Sequence, residues 1–330
     1  MSEPHPTQPQ RPKTPSETLT VTKMESGQRL DNYLIKHLKG VPRTHIYRIV
    51  RDGQVRVNGG RVRPFIRLAL DDRVRIPPLR RPQPSVDTST QNLLDLREAI
   101  LYEDEHLLVL NKPAGVAVHG GTGLRGGLIE FMRAHSKDYL ELVHRLDKDT
   151  SGALMLAKDS RTLRAMHAVL RQPERDAGVK KTYQALLVGR WRGGKRELKH
   201  RLQTFQGPGQ IKRSEVSSQG SEAHSIFNPV TRFFEHTLMD VEIRTGRLHQ
   251  VRAHAQAIGL PVAGDRVYGT ADANRHIRKF GLTRQFLHAD RLVFQHPIDK
   301  RQLDIHAPLP KELDSVLGQL QTQLADSRSS

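Results

Sequence analysis

The period of the hydrophobic pattern changes along the chain and predicts two folded parts. In the first part, apolar side chains recur at helical spacing over residues 30–38, and a second periodic stretch covers residues 44–50. An alternating stretch follows at residues 55–60, and its Asn58-Gly59 pair is typical of a tight hairpin turn. Alternation returns at residues 74–76. This pattern predicts a small helix-helix-hairpin unit.

The second part, from residue 95 onward, consists mainly of short alternating or continuously apolar stretches. Residues 100–110 read as two strands around an acidic turn, and residues 153–157 as a buried strand followed by a helix near Ser160. Further strands are predicted at residues 181–188, 225–231, 238–243, 287–294 and 303–306, and further helices at residues 249–258 and 311–324. Because strands occur in runs rather than in strict alternation with helices, we expect an α+β fold with a mixed, largely antiparallel sheet.

Polar segments set the predicted domain boundaries. Residues 1–23 are rich in Pro, Gln, Ser and Thr and contain few apolar residues, so we expect a disordered tail there. Residues 79–94 are rich in Pro, Arg, Ser and Thr and are predicted to link a small domain at residues 24–78 to a large domain at residues 95–325. Residues 326–330 are expected to form a short C-terminal tail.

The charge balance indicates a polyanionic partner. The 330 residues include 53 Lys and Arg against 35 Asp and Glu, which gives a net charge of +18. Residues 28–81 alone carry 14 basic and 4 acidic side chains, and this imbalance favours phosphate binding over an ordinary solvated face. A polyanionic partner of this kind is most simply RNA or DNA, and the side chains predicted to contact it in this unit are Arg43, Arg48, Arg51 and Arg56.

Composition and spacing also exclude several classes of function. The chain has no cysteine, so disulfides, thiolate zinc sites and cysteine nucleophiles are excluded. No apolar stretch is long enough to span a membrane, and the N-terminus does not resemble a signal peptide, so we expect a cytoplasmic protein without a membrane partner. His249 and His254 are five residues apart, on different faces of a helix, and the glycine-rich stretches at 120–123 and 189–196 do not fit phosphate-binding patterns. We therefore predict neither a metal nor a cofactor.

Three polar stretches are candidates for chemistry. Asp147 lies between Arg145 and Lys148, just before a turn into the predicted buried strand, and these cations favour its charged form. Tyr183 lies on an apolar strand, and residues 244–254 form a basic turn into a helix that is suited to anion binding. Taken alone, each stretch is more often structural: a loop ion pair, a core tyrosine and an ordinary helix start.

The order of these stretches is similar to that of a known family. His-Arg-Leu-Asp at residues 144–147, Lys-Thr-Tyr-x-Ala-Leu at 181–186 and Thr-Gly-Arg-x-His-Gln-Val-Arg at 245–252 follow Asn-Lys-Pro-x-Gly-x-x-Val-His at 111–119. Together they resemble the RluA-type family of RNA pseudouridine synthases, and residues 29–59 resemble the S4 RNA-binding domain. The resemblance extends over about residues 24–320 and is closest to members that act on 23S ribosomal RNA.

The resemblance implies an isomerase that converts uridines of 23S ribosomal RNA, in the precursor of the large ribosomal subunit, into pseudouridines. It implies that Asp147 acts as a nucleophile or as an acid and base, and that Tyr183 stacks under the uracil. Arg252 is the expected partner of Asp147, with Arg247 as the less favoured one. Arg145 is expected to fill the gap left by a flipped nucleotide. The remaining expected RNA contacts are Arg247, His249, Lys112 and His119.

Two alternatives remain open at this stage. One is a non-catalytic S4-type RNA-binding factor in ribosome assembly, and the other is the same chemistry on other ribosomal or transfer RNA uridines. Whether Asp147 attacks the sugar or assists a glycal route also stays open. The resemblance implies no small-molecule cofactor, and we expect a monomer.

Overall fold

The computed structural model describes residues 15–23, 25–38, 41, 43–79, 98–120, 127–136, 139–171, 178–207 and 212–329. The chain divides into two compact units, Met1–Asp87 and Thr88–Ser330. Each unit has its own hydrophobic core, as the change in hydrophobic pattern predicts.

The small unit contains two helices and a four-stranded antiparallel sheet. Its elements are β1 (Glu17–Thr20), α1 (Leu30–His37), α2 (Arg43–Arg51), β2 (Arg56–Val57), β3 (Gly60–Arg61) and β4 (Arg73–Ile76), and the strand order is β1-β4-β2-β3. The apolar faces of both helices pack on the sheet around Leu34, Ile46 and Val74, which are all wholly or almost wholly buried. Asn58 and Gly59 both have left-handed φ angles, 51° and 81°, as the predicted hairpin turn requires.

The predicted disordered tail is wrong for the residues nearest the small unit. Strand β1 pairs with β4 from Glu17↔Ile76 to Thr20↔Arg73, and the following Val21 is wholly buried. One apolar residue between two threonines is too short a pattern to stand out from its polar surroundings. Residues 1–14 lie outside the described residues. Most of the predicted linker does too, although Leu79 is buried in the core of the small unit.

The large unit is built on one extended sheet. Its strands are β5 (Ile100–Glu103), β6 (Leu107–Lys112), β7 (Glu141–Leu142), β8 (Ser151–Ala157), β9 (Lys180–Val188), β10 (Arg196–Gln206), β11 (Lys212–Val216), β12 (Ser221–Arg232), β13 (His236–Ile243), β14 (Leu287–Gln295) and β15 (Gln302–His306). The main order is β11-β10-β12-β13-β9-β14-β8-β6-β5, with β15 on β14 and β7 on β8. Among the described residues, β14 and β8 form the one parallel pair. The α+β class and the mixed, largely antiparallel sheet are therefore confirmed.

Helices cover this sheet and were only partly predicted. They are α3 (Leu128–His135), α4 (Ser160–Leu170), α5 (Gln250–Ala257), α6 (Ala271–Arg278) and α7 (Lys311–Ser329). The predictions of α4, α5 and α7 are confirmed, whereas α3, α6 and the long β10–β11 hairpin were not predicted. Helix α7 continues through most of the predicted C-terminal tail, which corrects that boundary. No helix in the described part of the chain is long and apolar enough to cross a membrane.

The centre of the sheet positions the candidate site. Every residue of β8 is buried, so the strand that follows Asp147 is rigidly held. Strand β9 carries Tyr183, and helix α5 carries Arg252. Strands β8 and β9 are not neighbours in the sheet, because β14 lies between them and pairs with both.

Candidate active site

A cavity of about 1490 Å³ in the large unit brings the three predicted catalytic side chains together. Asp147, Tyr183 and Arg252 all line it, although they are separated by up to 105 positions in the sequence. The cavity is also strongly basic. Its described lining contains two acidic side chains, Asp147 and Glu222, and eight Lys or Arg side chains: Arg145, Arg171, Lys181, Lys199, Arg201, Arg244, Arg247 and Arg252. This balance suits a polyanion.

The structure places Arg252, rather than Arg247, beside Asp147. The Arg252 Nη1 donates a hydrogen bond to the Asp147 Oδ2 at 3.0 Å, and the His249 Nε2 lies 3.8 Å from the same oxygen. The guanidinium of Arg247 is occupied elsewhere, because its Nε donates to the main-chain oxygen of Glu222 at 2.8 Å. Asp147 keeps 23% of its side chain exposed toward the cavity, so a substrate has access to the carboxylate.

A second carboxylate, which was not predicted as a site residue, holds the same arginine. Asp265 is wholly buried and accepts from the Arg252 Nε at 2.6 Å and Nη2 at 2.9 Å. Burial alone lowers the pKa of Arg252, but the hydrogen bonds and charge of Asp265, and then Asp147, outweigh it and raise that pKa. The guanidinium therefore stays charged and fixed in orientation between two carboxylates. In the sequence, Asp265 ends an otherwise apolar stretch, and this pattern by itself does not indicate a partner for Arg252.

Helix α5 presents Arg252 from its first turn, and a buried glutamine shapes that turn. The Gln250 Oε1 accepts from the Thr245 Oγ1 at 2.7 Å and from the Arg247 main-chain N at 3.1 Å. Its Nε2 donates to the Ser225 Oγ at 2.8 Å. His249, at the helix start, has a left-handed φ of 52°. These contacts fix the entry of the helix and thus the position of the guanidinium.

The Lys112 side chain supports the loop that carries Asp147 by hydrogen bonds to main-chain oxygens. The Lys112 Nζ donates to the main-chain oxygens of Pro113, Val116 and Lys148 at 2.7–3.0 Å. Lys112 is wholly buried and does not line the cavity, so the predicted contact of Lys112 with RNA does not fit its position. The sequence did not predict the burial of Lys112, because lysine side chains are rarely buried. Its position supports the loop that carries Asp147.

Tyr183 presents a protonated phenol to the cavity. Its side chain is 7% exposed, and burial first, then the negative charge of Asp147, raises its pKa. The ring is therefore a neutral surface near the carboxylate, suited to stacking against a planar base.

The other predicted RNA contacts fall into two groups. His119, Arg145, Arg247 and His249 line the same cavity as Asp147. In the small unit, Arg48 and Arg51 are exposed on α2, Arg56 is half-buried on β2, and Arg43 begins α2 with a side chain outside the described residues. Within the described ranges, no group of three or more His, Asp or Glu side chains is arranged to hold a metal ion.

Known proteins are similar to this chain in both sequence and fold. A profile described as RNA pseudouridylate synthase matches residues 106–257, and an S4 domain profile matches residues 28–74. "Ribosomal large subunit pseudouridine synthase C" of Pasteurella multocida (strain Pm70) is 43% identical over 310 residues, which are 92% of this chain and 94% of that protein. The protein of the same name from Escherichia coli (strain K12) is 43% identical over 317 residues, 93% of this chain and 98% of its own.

Solved structures give the same result for the fold. "Human RNA Pseudouridylate Synthase Domain Containing 4" has a TM-score of 0.56 at 24% identity, over 71% of this chain and 98% of that one. "Human RNA Pseudouridylate Synthase Domain Containing 1" has a TM-score of 0.51 at 26% identity, over 69% and 94%. The sequence relatives of this chain, its fold and the side chains around Asp147 all lead to the same conclusion. The chain belongs to the RluA-type family of RNA pseudouridylate synthases and also contains an S4 domain.

Proposed function

We propose that this protein isomerises uridines of 23S ribosomal RNA, in the large ribosomal subunit or its precursor, to pseudouridines. The observation that carries the proposal is the Asp147 carboxylate held at 3.0 Å by the buried Arg252, in a basic cavity that also contains Tyr183. The names of the two bacterial relatives support the large-subunit RNA as the substrate.

The chemistry needs a charged carboxylate beside the sugar of the target nucleotide. The N1–C1′ bond breaks and its electron pair leaves with N1, so the uracil departs as an anion. Asp147 either takes up the electron-deficient C1′ or removes a sugar proton, and in both routes it must be ionised. A partly buried carboxylate stays ionised when a cation is paired with it, and Arg252 supplies that cation.

The reaction is completed when the uracil has turned. C5 forms the new bond to C1′ with a ring electron pair, the C5 proton leaves, and N1 gains a proton, so no net oxidation or group transfer occurs. Tyr183 provides the surface on which the detached ring stacks. A cavity around the nucleotide favours this rearrangement because the detached base remains close to the sugar.

Binding requires the target nucleotide to leave its RNA helix. Arg145 lines the cavity and is exposed, which supports a role in filling the gap of the flipped base. The S4 domain adds affinity for RNA phosphates through Arg43, Arg48, Arg51 and Arg56. We further propose that the protein acts in the cytoplasm as a monomer.

Pseudouridine mapping of unmodified 23S RNA transcript tests the proposal. Wild-type protein is expected to introduce pseudouridines that Asp147→Asn does not, while RNA affinity stays similar. Asp149→Asn is the matched control, because Asp149 is exposed two residues away and does not line the cavity. Tight RNA binding without any new pseudouridine would instead favour an assembly factor, and sites found only in bulk transfer RNA would reassign the substrate.

A further inference from the structure

Lys181 is a nearly buried cation that the proposed chemistry does not yet use. It lies on β9 and is 8% exposed, and it lines the same cavity as Asp147 and Tyr183. Among the residues that the structure describes, no acidic side chain pairs with it. A buried charge without a partner is destabilising, so its retention calls for a ligand that supplies the opposite charge.

Strand geometry directs Lys181 to the cavity and the nearby acidic side chains away from it. Lys181 and Tyr183 are two residues apart on β9 and therefore lie on the same face. The neighbouring Lys180 points the other way, where its Nζ lies 3.4 Å from the Glu242 Oε2. Asp240 is two residues from Glu242 on β13 and shares that opposite face. The cavity face of the strand thus holds an amine without a carboxylate.

The groups around the Lys181 amine do not neutralise it. A Cβ atom at Gly246 would lie 3.7 Å from its Nζ, so a glycine leaves the amine open on that side. His144 is uncharged, because burial and then the charge of Lys181 lower its pKa to about 3. The charged or titratable groups on the surrounding elements are Arg145 and Asp147 before β8, His167 of α4 and Arg171 directly after it, Glu222 of β12, Arg244 and Arg247 after β13, and Asp290 and Arg291 of β14. Of the acidic ones, Asp147 is bound to Arg252, Glu222 is exposed to solvent, and Asp290 is not among the residues that line the cavity.

We propose that the Lys181 ammonium is the counter-ion of the uracil anion that forms when the glycosidic bond breaks. This inference rests on the proposed function and deepens it. Side chains two residues apart on a strand are separated by about 6.6 Å, close to the width of a pyrimidine with its exocyclic oxygens. A uracil stacked on Tyr183 therefore extends an O2 or O4 atom toward Lys181. The electron pair left on N1 is shared with these oxygens, so the ammonium contacts the atoms on which charge develops.

A counter-ion for the departing base affects the chemical step more than RNA binding. The uridine in intact RNA carries no charge on its ring, so the ammonium gains its partner only as the N1–C1′ bond breaks. We expect Lys181→Met to lower the single-turnover rate of pseudouridine formation about 100-fold, with little change in RNA affinity. Lys180→Met is the matched control, because it removes an exposed lysine of the same strand and should retain the wild-type rate.

The pH dependence separates this role from a structural one. Burial lowers the pKa of Lys181 to about 8, so the wild-type rate should fall as the pH rises through that value and the ammonium loses its proton. Lys181→Arg keeps a cation at all these pH values, so it should restore much of the rate lost in Lys181→Met and lack this alkaline decline.

Two results would overturn the inference. A Lys181→Met protein that converts uridine at the wild-type rate would do so, as would one that loses RNA affinity with an unchanged single-turnover rate, which would assign the amine to an RNA phosphate. Both are measured alongside active wild-type protein and inactive Asp147→Asn. If wild-type protein forms no pseudouridine, the proposed function itself fails, which is distinguishable from failure of the Lys181 assignment alone.

Discussion

The positive charge of Arg252 is shared by two carboxylates, and these carboxylates have different roles. Asp147 is open to the cavity, whereas Asp265 is closed off from solvent and also accepts from the main-chain nitrogens of Val267 and Tyr268. The buried carboxylate therefore positions the guanidinium, and the carboxylate that faces the cavity is available for chemistry. A substitution at either position disturbs the other through the arginine.

We expect Asp265→Asn to lower both stability and activity. It leaves the Arg252 guanidinium with one carboxylate in a buried site, and breaking such a pair costs about 3–5 kcal/mol. Denaturant unfolding measures the loss of stability, and single-turnover kinetics measure the loss of activity. Asp272→Asn is the control, because its ion pair with Arg275 is largely exposed and contributes at most about 1 kcal/mol. Equal stability of the two variants would contradict this role of Asp265.

At the residue scale, sequence patterns identified residues of the site but not the groups that contact them. The motif around residues 245–252 identified Arg252, yet its partner Asp265 is set by packing between a helix and a loop that no local pattern reports. Lys112 shows the converse. The family resemblance implied an RNA contact for it, whereas its three main-chain acceptors become apparent only in the folded structure. Burial of a charged group depends on tertiary structure, which local spacing does not determine.

At the scale of elements, the start of β8 depends on a glycine. Gly152 has a φ of +112°, and a Cβ atom there would lie 2.3 Å from the main-chain oxygen of Ala289 on β14. The close approach joins β8 to its parallel neighbour directly after the loop that carries Asp147. A side chain at this position would push the two strands apart.

Gly152→Ala is accordingly expected to destabilise the large unit by about 2–5 kcal/mol, from backbone strain and overpacking together. Gly194→Ala is the control, because a Cβ atom there meets no atom within 4 Å and its φ is not in the left-handed region. Urea unfolding of both proteins checks the difference. A Gly152→Ala protein as stable as the Gly194→Ala protein would show that the strands separate without cost.

The elements that sequence predicted well have strong apolar periodicity. Strands β9, β13 and β14 carry continuous or alternating apolar residues and lie at the centre of the sheet. Strand β10 was missed because most of its side chains are polar or charged, so its strand conformation follows from pairing with β12 and β11 rather than from burial. Edge and hairpin strands of this kind are decided by their neighbours.

At the scale of the whole molecule, the charge surplus predicts how RNA binding responds to salt. Arg48 and Arg51 are exposed on α2 and contribute to the basic surplus of the small unit. If both contact phosphates, replacing them with Gln should reduce the slope of log affinity against log salt by about 1.4–1.8. Filter binding over a range of salt concentrations measures this slope.

A control with the same charge change and spacing is available on α6. Arg275 and Arg278 are both exposed, are also three residues apart on a helix, and do not line the cavity. Their replacement with Gln should leave the salt slope nearly unchanged. A similar reduction for both double variants would mean that net charge alone, rather than contact by α2, determines RNA affinity.

The buried histidines predict that the folding stability of the large unit decreases at acidic pH. Burial lowers the pKa of His236 and of His254 from 6.5 to about 4, and it also lowers the pKa of His288. Below pH 6.5 the unfolded chain therefore binds more protons than the folded one, so stability falls as the pH drops from 6.5 toward 4. Each histidine contributes at most about 2 kcal/mol of this loss by pH 5.

Thermal unfolding between about pH 7.5 and about pH 5 should show the melting temperature decreasing with acid. His254→Leu should show a smaller decrease, because both His254 ring nitrogens lack a hydrogen-bond partner in the described structure and Leu takes up no proton. A melting temperature that is independent of pH over this range would mean that these imidazoles do not remain neutral in the folded protein.

The position of β14 has a consequence for the order in which the protein assembles. Tyr183 lies on β9 and Asp147 precedes β8. Among the described residues, these two strands are connected in the sheet only through β14, which begins 99 residues after β9 ends. Without β14, the two parts of the sheet that carry Tyr183 and Asp147 share no strand pairing among the described residues. Closing so long a loop is slow relative to forming local hairpins. Activity should therefore emerge late and all at once during refolding, after most of the secondary structure has formed.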